Sequence, residues 1–179
     1  YSYVATDSVI IGHDAGYYAT GSYNTFVGSE AGKGGTSSAP YSSGTNNTAI
    51  GYQALTAFTT AEANVAIGQN AGDAITSGNY NVLAGRNAGG SLTTGGNNVA
   101  IGDTALASMN QYNSHIAIGP SAGSGFTAQY YSILIGYQAN AASGGNYTTA
   151  IGYRALKDNE GGRNTAIGAS ALISNVGGD

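Results

Sequence analysis

Short apolar runs closed by a glycine recur along this chain at nearly constant spacing. The phrase NTAIGYQAL at 47–55 returns as SILIGYQAN at 132–140, TTAIGYRAL at 148–156 and NTAIGASAL at 164–172. Taking its glycine as an anchor gives Gly12, Gly28, Gly51, Gly68, Gly85, Gly102, Gly119, Gly136, Gly152 and Gly168. The intervals are 16, 23, 17, 17, 17, 17, 17, 16 and 16 residues, so there are ten copies with one insertion after the second. Three residues before each anchor stands Val, Ile or Thr, and one before it stands Ile in eight copies. Three residues after it stands Ala in all ten. Such self-similarity marks a repeat architecture, whose neighbouring units share one core.

The run before each anchor is short and rich in β-branched residues, which predicts a strand. A helix would carry these frequent glycines at a cost of about 1 kcal/mol each. One face of the strand is Val/Ile and the other mainly Ala, with Ile10, Phe26, Leu83 and Leu134 as larger variants. Two apolar faces predict burial on both sides. The variable pair, Ala, and Gly or Leu after the anchor predict a tight corner. Phe58, Ile75, Leu92, Met109 and Phe126, seven residues past their anchors, are expected to form a second, weaker strand with one inward side chain. The expected fold is all-β: a parallel β-solenoid, or β-roll, of about ten coils of 16–17 residues. At ~4.8 Å per coil it would form a rod roughly 48 Å long. Residues 1–179 are expected to be one array, with repeats over about 8–172 and an insertion loop at 33–45.

Four residues before the anchor stands Asn24, Asn47, Asn64, Asn81, Asn98 or Asn164, and elsewhere Ser8, His115, Ser132 or Thr148. Stacked coils would turn the asparagines into a hydrogen-bonded ladder. The anchor glycine implies positive φ or close backbone approach. A thin solenoid has one interior, so the second apolar face of the strand needs another partner. The simplest is the same strand on other copies of the chain, which predicts a homo-oligomer about the long axis, with a trimer as the natural closed form.

Composition narrows the function. Nine acidic against five basic residues give a net charge of −4, which argues against nucleic acid as partner. No apolar run is long enough to cross a bilayer, so no membrane insertion is expected. With no cysteine there is neither disulfide nor thiolate metal site. The chain begins at Tyr1 rather than Met, as expected of a processed chain or a piece of a longer one.

The pattern N-[ST]-[VA]-[AF]-[IV]-G-x-x-[AS] resembles the head repeats of trimeric autotransporter adhesins. The version NTAIGYQAL, with its Thr/Ser/Gly/Asn-rich spacer, is similar to repeat regions of phage tail fibres. The resemblance covers residues 8–172. It implies an extracellular location, on a bacterial cell surface or virion, and a role in attachment. It carries over no catalytic residue.

Other features point elsewhere only weakly. GSEAGKGG at 28–35 has three residues between Gly28 and Gly32, where a phosphate loop needs four. His13 and Asp14 lie at the variable corner, with no nucleophile set beside them. The acidic residues are too scattered for repeated calcium sites, leaving an ion on the trimer axis, held by the Asn ladder, as the one metal position to consider. Otherwise no metal, cofactor or catalytic residue is expected. Thr shares its column with Val and Ile, which implies burial and speaks against ice binding.

The tyrosines carry more. Tyr52, Tyr137 and Tyr153 follow anchors directly, and Tyr23, Tyr80, Tyr131 and Tyr147 stand five residues before them. They should form exposed stripes, able to stack on sugars, bury at an interface, or cap coil edges by stacking on one another. The 33–45 loop is a second candidate contact with a receptor or neighbouring subunit. The expected function is therefore a non-enzymatic structural and attachment protein: the shaft or head of a trimeric phage tail fibre or bacterial adhesin. Its expected partners are itself and a cell-surface polysaccharide or protein receptor. The alternative is an extracellular filament subunit that stacks end to end through uncapped solenoid ends.

Overall fold

The computed structural model describes residues 6–35, 41–125, 130–142 and 145–174. Ten three-residue strands follow one another: β1 (Val9–Ile11), β2 (Thr25–Val27), β3 (Thr48–Ile50), β4 (Val65–Ile67), β5 (Val82–Ala84), β6 (Val99–Ile101), β7 (Ile116–Ile118), β8 (Ile133–Ile135), β9 (Thr149–Ile151) and β10 (Thr165–Ile167). They form one parallel sheet in sequence order. Each repeat column pairs with itself, as in Val65↔Val82, Ala66↔Leu83 and Ile67↔Ala84. The expected parallel β-solenoid is what the chain forms, one coil per repeat.

The expected second strand does not form among the described residues. After each anchor the chain runs through turns that still hydrogen-bond to the next coil: the Leu55 amide donates to Ala71 O at 3.0 Å, and Asn70 to Tyr52 O at 2.9 Å. The reason is local geometry. In all ten coils the residue two after the anchor has left-handed φ, as at Gln53 (φ 55), and so does the residue four after it, as at Leu55 (φ 53). A β-strand cannot contain such residues. Phe58, Ile75, Leu92 and Met109 nevertheless point inward and are fully buried. Phe126 lies outside the described residues.

The anchor glycines meet both demands inferred for them. Their φ values lie between 130° and 139°. A Cβ on Gly68 would stand 2.7 Å from the carbonyl oxygen of Gly85, and the same clash with the next anchor recurs at every anchor but the last. The coils therefore stack glycine on glycine.

The core is a column of small residues with regular large ones. Ala31, Ala54, Ala71, Ala88, Ala105, Ala122, Ala139 and Ala155 are fully buried. The central strand residue also points inward. It is large in Phe26, Leu83 and Leu134 of the second, fifth and eighth coils, and Ala in most others. Where it is large, the corner residue of its own coil and of the coil before is glycine or asparagine, because the large side chain fills that space. A Cβ on Gly72 would stand 2.7 Å from Leu83 Cδ1, and one on Gly89 2.9 Å from Leu83 Cδ2. Leu55, Leu106 and Leu156 occupy the same corner where the strand centres of their own coil and of the next are Ala. Packing thus repeats every three coils, a longer period than the repeat itself.

Candidate binding surfaces

The Val/Ile face of the strand is not covered within the chain, where the sequence reading expects other copies of the chain to cover it. Its side chains flank the inward central residue and point away from the core. Val82 is 38% exposed, Ile101 39%, Ile118 37% and Ile133 40%, while the intervening Ala100 and Ala117 are fully buried. The result is an apolar ridge pair running along the sheet, with nothing of the described chain over it. Thr25, Thr48, Thr149 and Thr165 lie on this outward face too, not inside. They are interrupted by Val82, Val99, Ile116 and Ile133, so no continuous hydroxyl array arises.

The Asn ladder forms over five consecutive coils. Asn64 is typical: its amide and Nδ2 both donate to Asn47 Oδ1, at 3.0 and 3.1 Å, and Nδ2 also donates to Gly78 O at 2.8 Å. Its own Oδ1 accepts from Asn81 N at 3.0 Å and Asn81 Nδ2 at 2.9 Å. Asn24, Asn47, Asn64, Asn81 and Asn98 are all buried. The ladder oxygens of Asn24, Asn47, Asn64 and Asn81 each accept two protein donors, which leaves those four oxygens little capacity for an ion. Asn164 is not a rung. His115, Ser132 and Thr148 intervene, and the Asn164 Nδ2 donates at 3.2 Å to Asn159 Oδ1.

His115 caps the run, its amide donating to Asn98 Oδ1 at 3.0 Å. The residue is fully buried, and desolvation lowers its pKa to about 4. His13 is the opposite case, with its side chain 81% exposed and Nδ1 3.9 Å from Asp14 Oδ2. Lys33 of the GSEAGKGG segment is committed to carboxylates, Asp14 Oδ2 at 3.3 Å and Glu30 Oε1 at 3.2 Å. Glu30 also accepts from Gln53 Nε2 at 2.7 Å. These bonds lower the Glu30 pKa, Gln53 contributing most, and raise that of Lys33, Glu30 contributing most. A lysine neutralised in this way is a poor phosphate anchor. Among the described residues no group of three or more His, Asp and Glu is placed to hold a metal ion.

The insertion is built into the stack at both ends: Gly35 N donates to Phe58 O at 2.8 Å and Ser43 N to Thr59 O at 2.7 Å. Residues 36–40 between them lie outside the described residues. The tyrosine columns are exposed as expected: Tyr23, Tyr80 and Tyr131 at 60% each, Tyr52, Tyr147 and Tyr153 at 49%, Tyr137 at 41%. Some of them do stack on one another. Tyr137 and Tyr153 lie 5.5 Å apart at 14°, with the Arg154 guanidinium 5.1 Å over Tyr153. Tyr130, Tyr131 and Tyr147 form a mutual cluster with centroids 6.0–6.4 Å apart. Asn79 and Asn113, one residue before the tyrosine column, were not singled out in the sequence; they line a surface cleft with Tyr80 and Tyr131. Their signal is faint, since that column holds asparagine in three copies, with Asn146 the third, and elsewhere Thr, Ser, Glu, Gly or Tyr.

No protein-family model, curated protein or solved structure matches this chain.

Proposed function

We propose that this chain is a non-enzymatic attachment protein acting outside the cell, as the shaft or head of a homotrimeric fibre on a virion or bacterial surface. The observation that carries the reading is the outward Val/Ile ridge pair. An exposed apolar stripe that follows the whole sheet calls for a partner with the same pitch. Another copy of the chain has that pitch at every coil. The stripe has two ridges, so in a three-fold rod the ridge of residues three before the anchor meets its neighbour's ridge one before it. Every chain is then used twice and the assembly closes. The repeat pattern that resembles adhesin heads and tail fibres supports the same arrangement. A stiff rod of three chains would present each surface feature three times at every level, so weak contacts add by avidity.

Light scattering across a concentration series, with negative-stain microscopy, tests this. The expected mass is three times the 17.7 kDa chain, independent of concentration, in short rods. Val82→Lys with Ile101→Lys should give a folded monomer. A wild-type monomer would overturn the assembly. End-to-end filaments, with coils of different chains stacked along one axis, are the second reading. Rods that lengthen with concentration would establish that reading instead.

A further inference from the structure

Tyr80 and Tyr131 occupy the same column three coils apart, and Tyr23 stands three coils before Tyr80. Between Tyr80 and Tyr131 lies a cleft of about 440 Å³. Asn79, Gly96, Asn97, Asn113 and Ser114 line it as well. Gly96 lets two coils approach closely here, since a Cβ there would stand 2.8 Å from Asn79 O.

The tyrosines hold this column against backbone preference. Tyr23, Tyr80 and Tyr131 have φ of 61°, 59° and 31°. Asn46 and Asn97 adopt the same conformation in other coils, both at φ 59. Asparagine does so readily, whereas a bulky side chain is strained there by about 1 kcal/mol. Tyr23 and Tyr80 are each 60% exposed, so packing within the chain does little to repay that strain there. Tyr131 is also backed by Tyr147 at 6.0 Å, which fixes it as a wall.

The polar groups are set for a neutral, hydroxyl-rich ligand. Asn79 Oδ1 accepts from Glu62 N at 2.7 Å and Asn113 Oδ1 from Gly96 N at 2.6 Å. Each carboxamide is thereby fixed by its oxygen, and its Nδ2 donors are left for the cleft. No lining residue is charged. Two aromatic platforms roughly 14 Å apart, at ~4.8 Å per coil, span the length of a di- or trisaccharide.

We propose that the cleft between Tyr80 and Tyr131 binds a neutral oligosaccharide lying along the stacking axis, with the rings as stacking platforms and Asn79 and Asn113 as donors. The proposal rests on the attachment reading and names its ligand class. Titration of the full chain with maltotriose, cellotriose, triacetylchitotriose and globotriose, followed by calorimetry and saturation-transfer NMR, tests it. At least one should bind, and Tyr80→Ala and Tyr131→Ala should each weaken it tenfold or more. Asn113→Asp keeps the acceptor for Gly96 N and loses the donors, so it should also weaken binding with unchanged folding. Tyr17→Ala, at an exposed tyrosine outside both columns, should leave binding intact. Binding of none of the four sugars, or binding that survives Tyr80→Ala with Tyr131→Ala, overturns the site. Adhesion of labelled chain to a panel of smooth and rough bacterial cells separates the two ideas. Adhesion that persists in the double variant overturns the cleft and leaves attachment standing. A chain that binds sugar but adheres to no cell overturns attachment alone.

Discussion

Asn64→Ala should be among the most damaging single changes in the molecule, although it removes only a small polar side chain. Four hydrogen bonds end on that side chain: two that its Nδ2 donates and two that its Oδ1 accepts. Asn47 Oδ1 keeps the Asn64 amide, and Asn81 Nδ2 keeps Gly95 O at 2.9 Å. The Asn81 N–H and the Gly78 carbonyl lose the partners described above. Leaving a buried polar group unsatisfied costs about 1–3 kcal/mol, so the two together predict a loss of about 2–6 kcal/mol. Asn164→Ala should cost less, because the residue before it in the column is Thr148 and not asparagine, so no ladder of amides runs through it. Urea denaturation followed by circular dichroism gives the two losses, and hydrogen exchange at the Asn81 amide shows whether the break is local. Equal losses for Asn64→Ala and Asn164→Ala, or a loss below about 1 kcal/mol for the first, would refute the ladder as a stabilising element.

Other outcomes follow from single residues. His115 has a folded pKa of about 4 against 6.5 when solvated, so the unfolded chain takes up a proton that the folded chain refuses. Stability should fall as pH drops from 6.5 to 4, by about 1.4 kcal/mol per unit and about 3 kcal/mol in all, with no effect above that window. His115→Asn should flatten this dependence in denaturation at pH 4.5 and 7.5. Gly68→Ala forces a Cβ against the Gly85 carbonyl at φ 130, and should lose more than about 4 kcal/mol or fail to fold by circular dichroism. Asn140 is buried at the corner position beside Leu134, with neither amide atom hydrogen-bonded among the described residues. Its φ of 43 suits glycine, so Asn140→Gly should raise the denaturation midpoint, by about 1 kcal/mol in stability.

The parts of the fold that obey one rule per coil were legible in the sequence. The strand, its register, the glycine stack and the first five rungs of the ladder each follow from a column that repeats. The second strand was misread because an inward Phe58 or Leu92 shows burial and not dihedral angles. The chain there turns through left-handed residues that are not glycine, such as Gln53 and Leu55. The outward face was legible as a surface that needs covering, because apolar columns say what wants to be covered and not by which molecule. Asn164 matched the column and still missed the ladder, because a ladder depends on the coil before it. The three-coil rhythm of Phe26, Leu83 and Leu134, shared by Tyr23, Tyr80 and Tyr131, was present in the sequence. It is invisible when the repeat is compared one coil at a time.

Each strand touches only the strands before and after it, and each column pairs with itself. Length is therefore a free variable of this design. Deleting or duplicating a block of coils in the gene joins surfaces that already match, provided the large and small core residues keep their order. A cut of three coils preserves that order, and a cut of one does not. The molecule is a ruler graduated in steps of roughly 14 Å, at ~4.8 Å per coil. Its reach can change by recombination without a single new contact having to evolve.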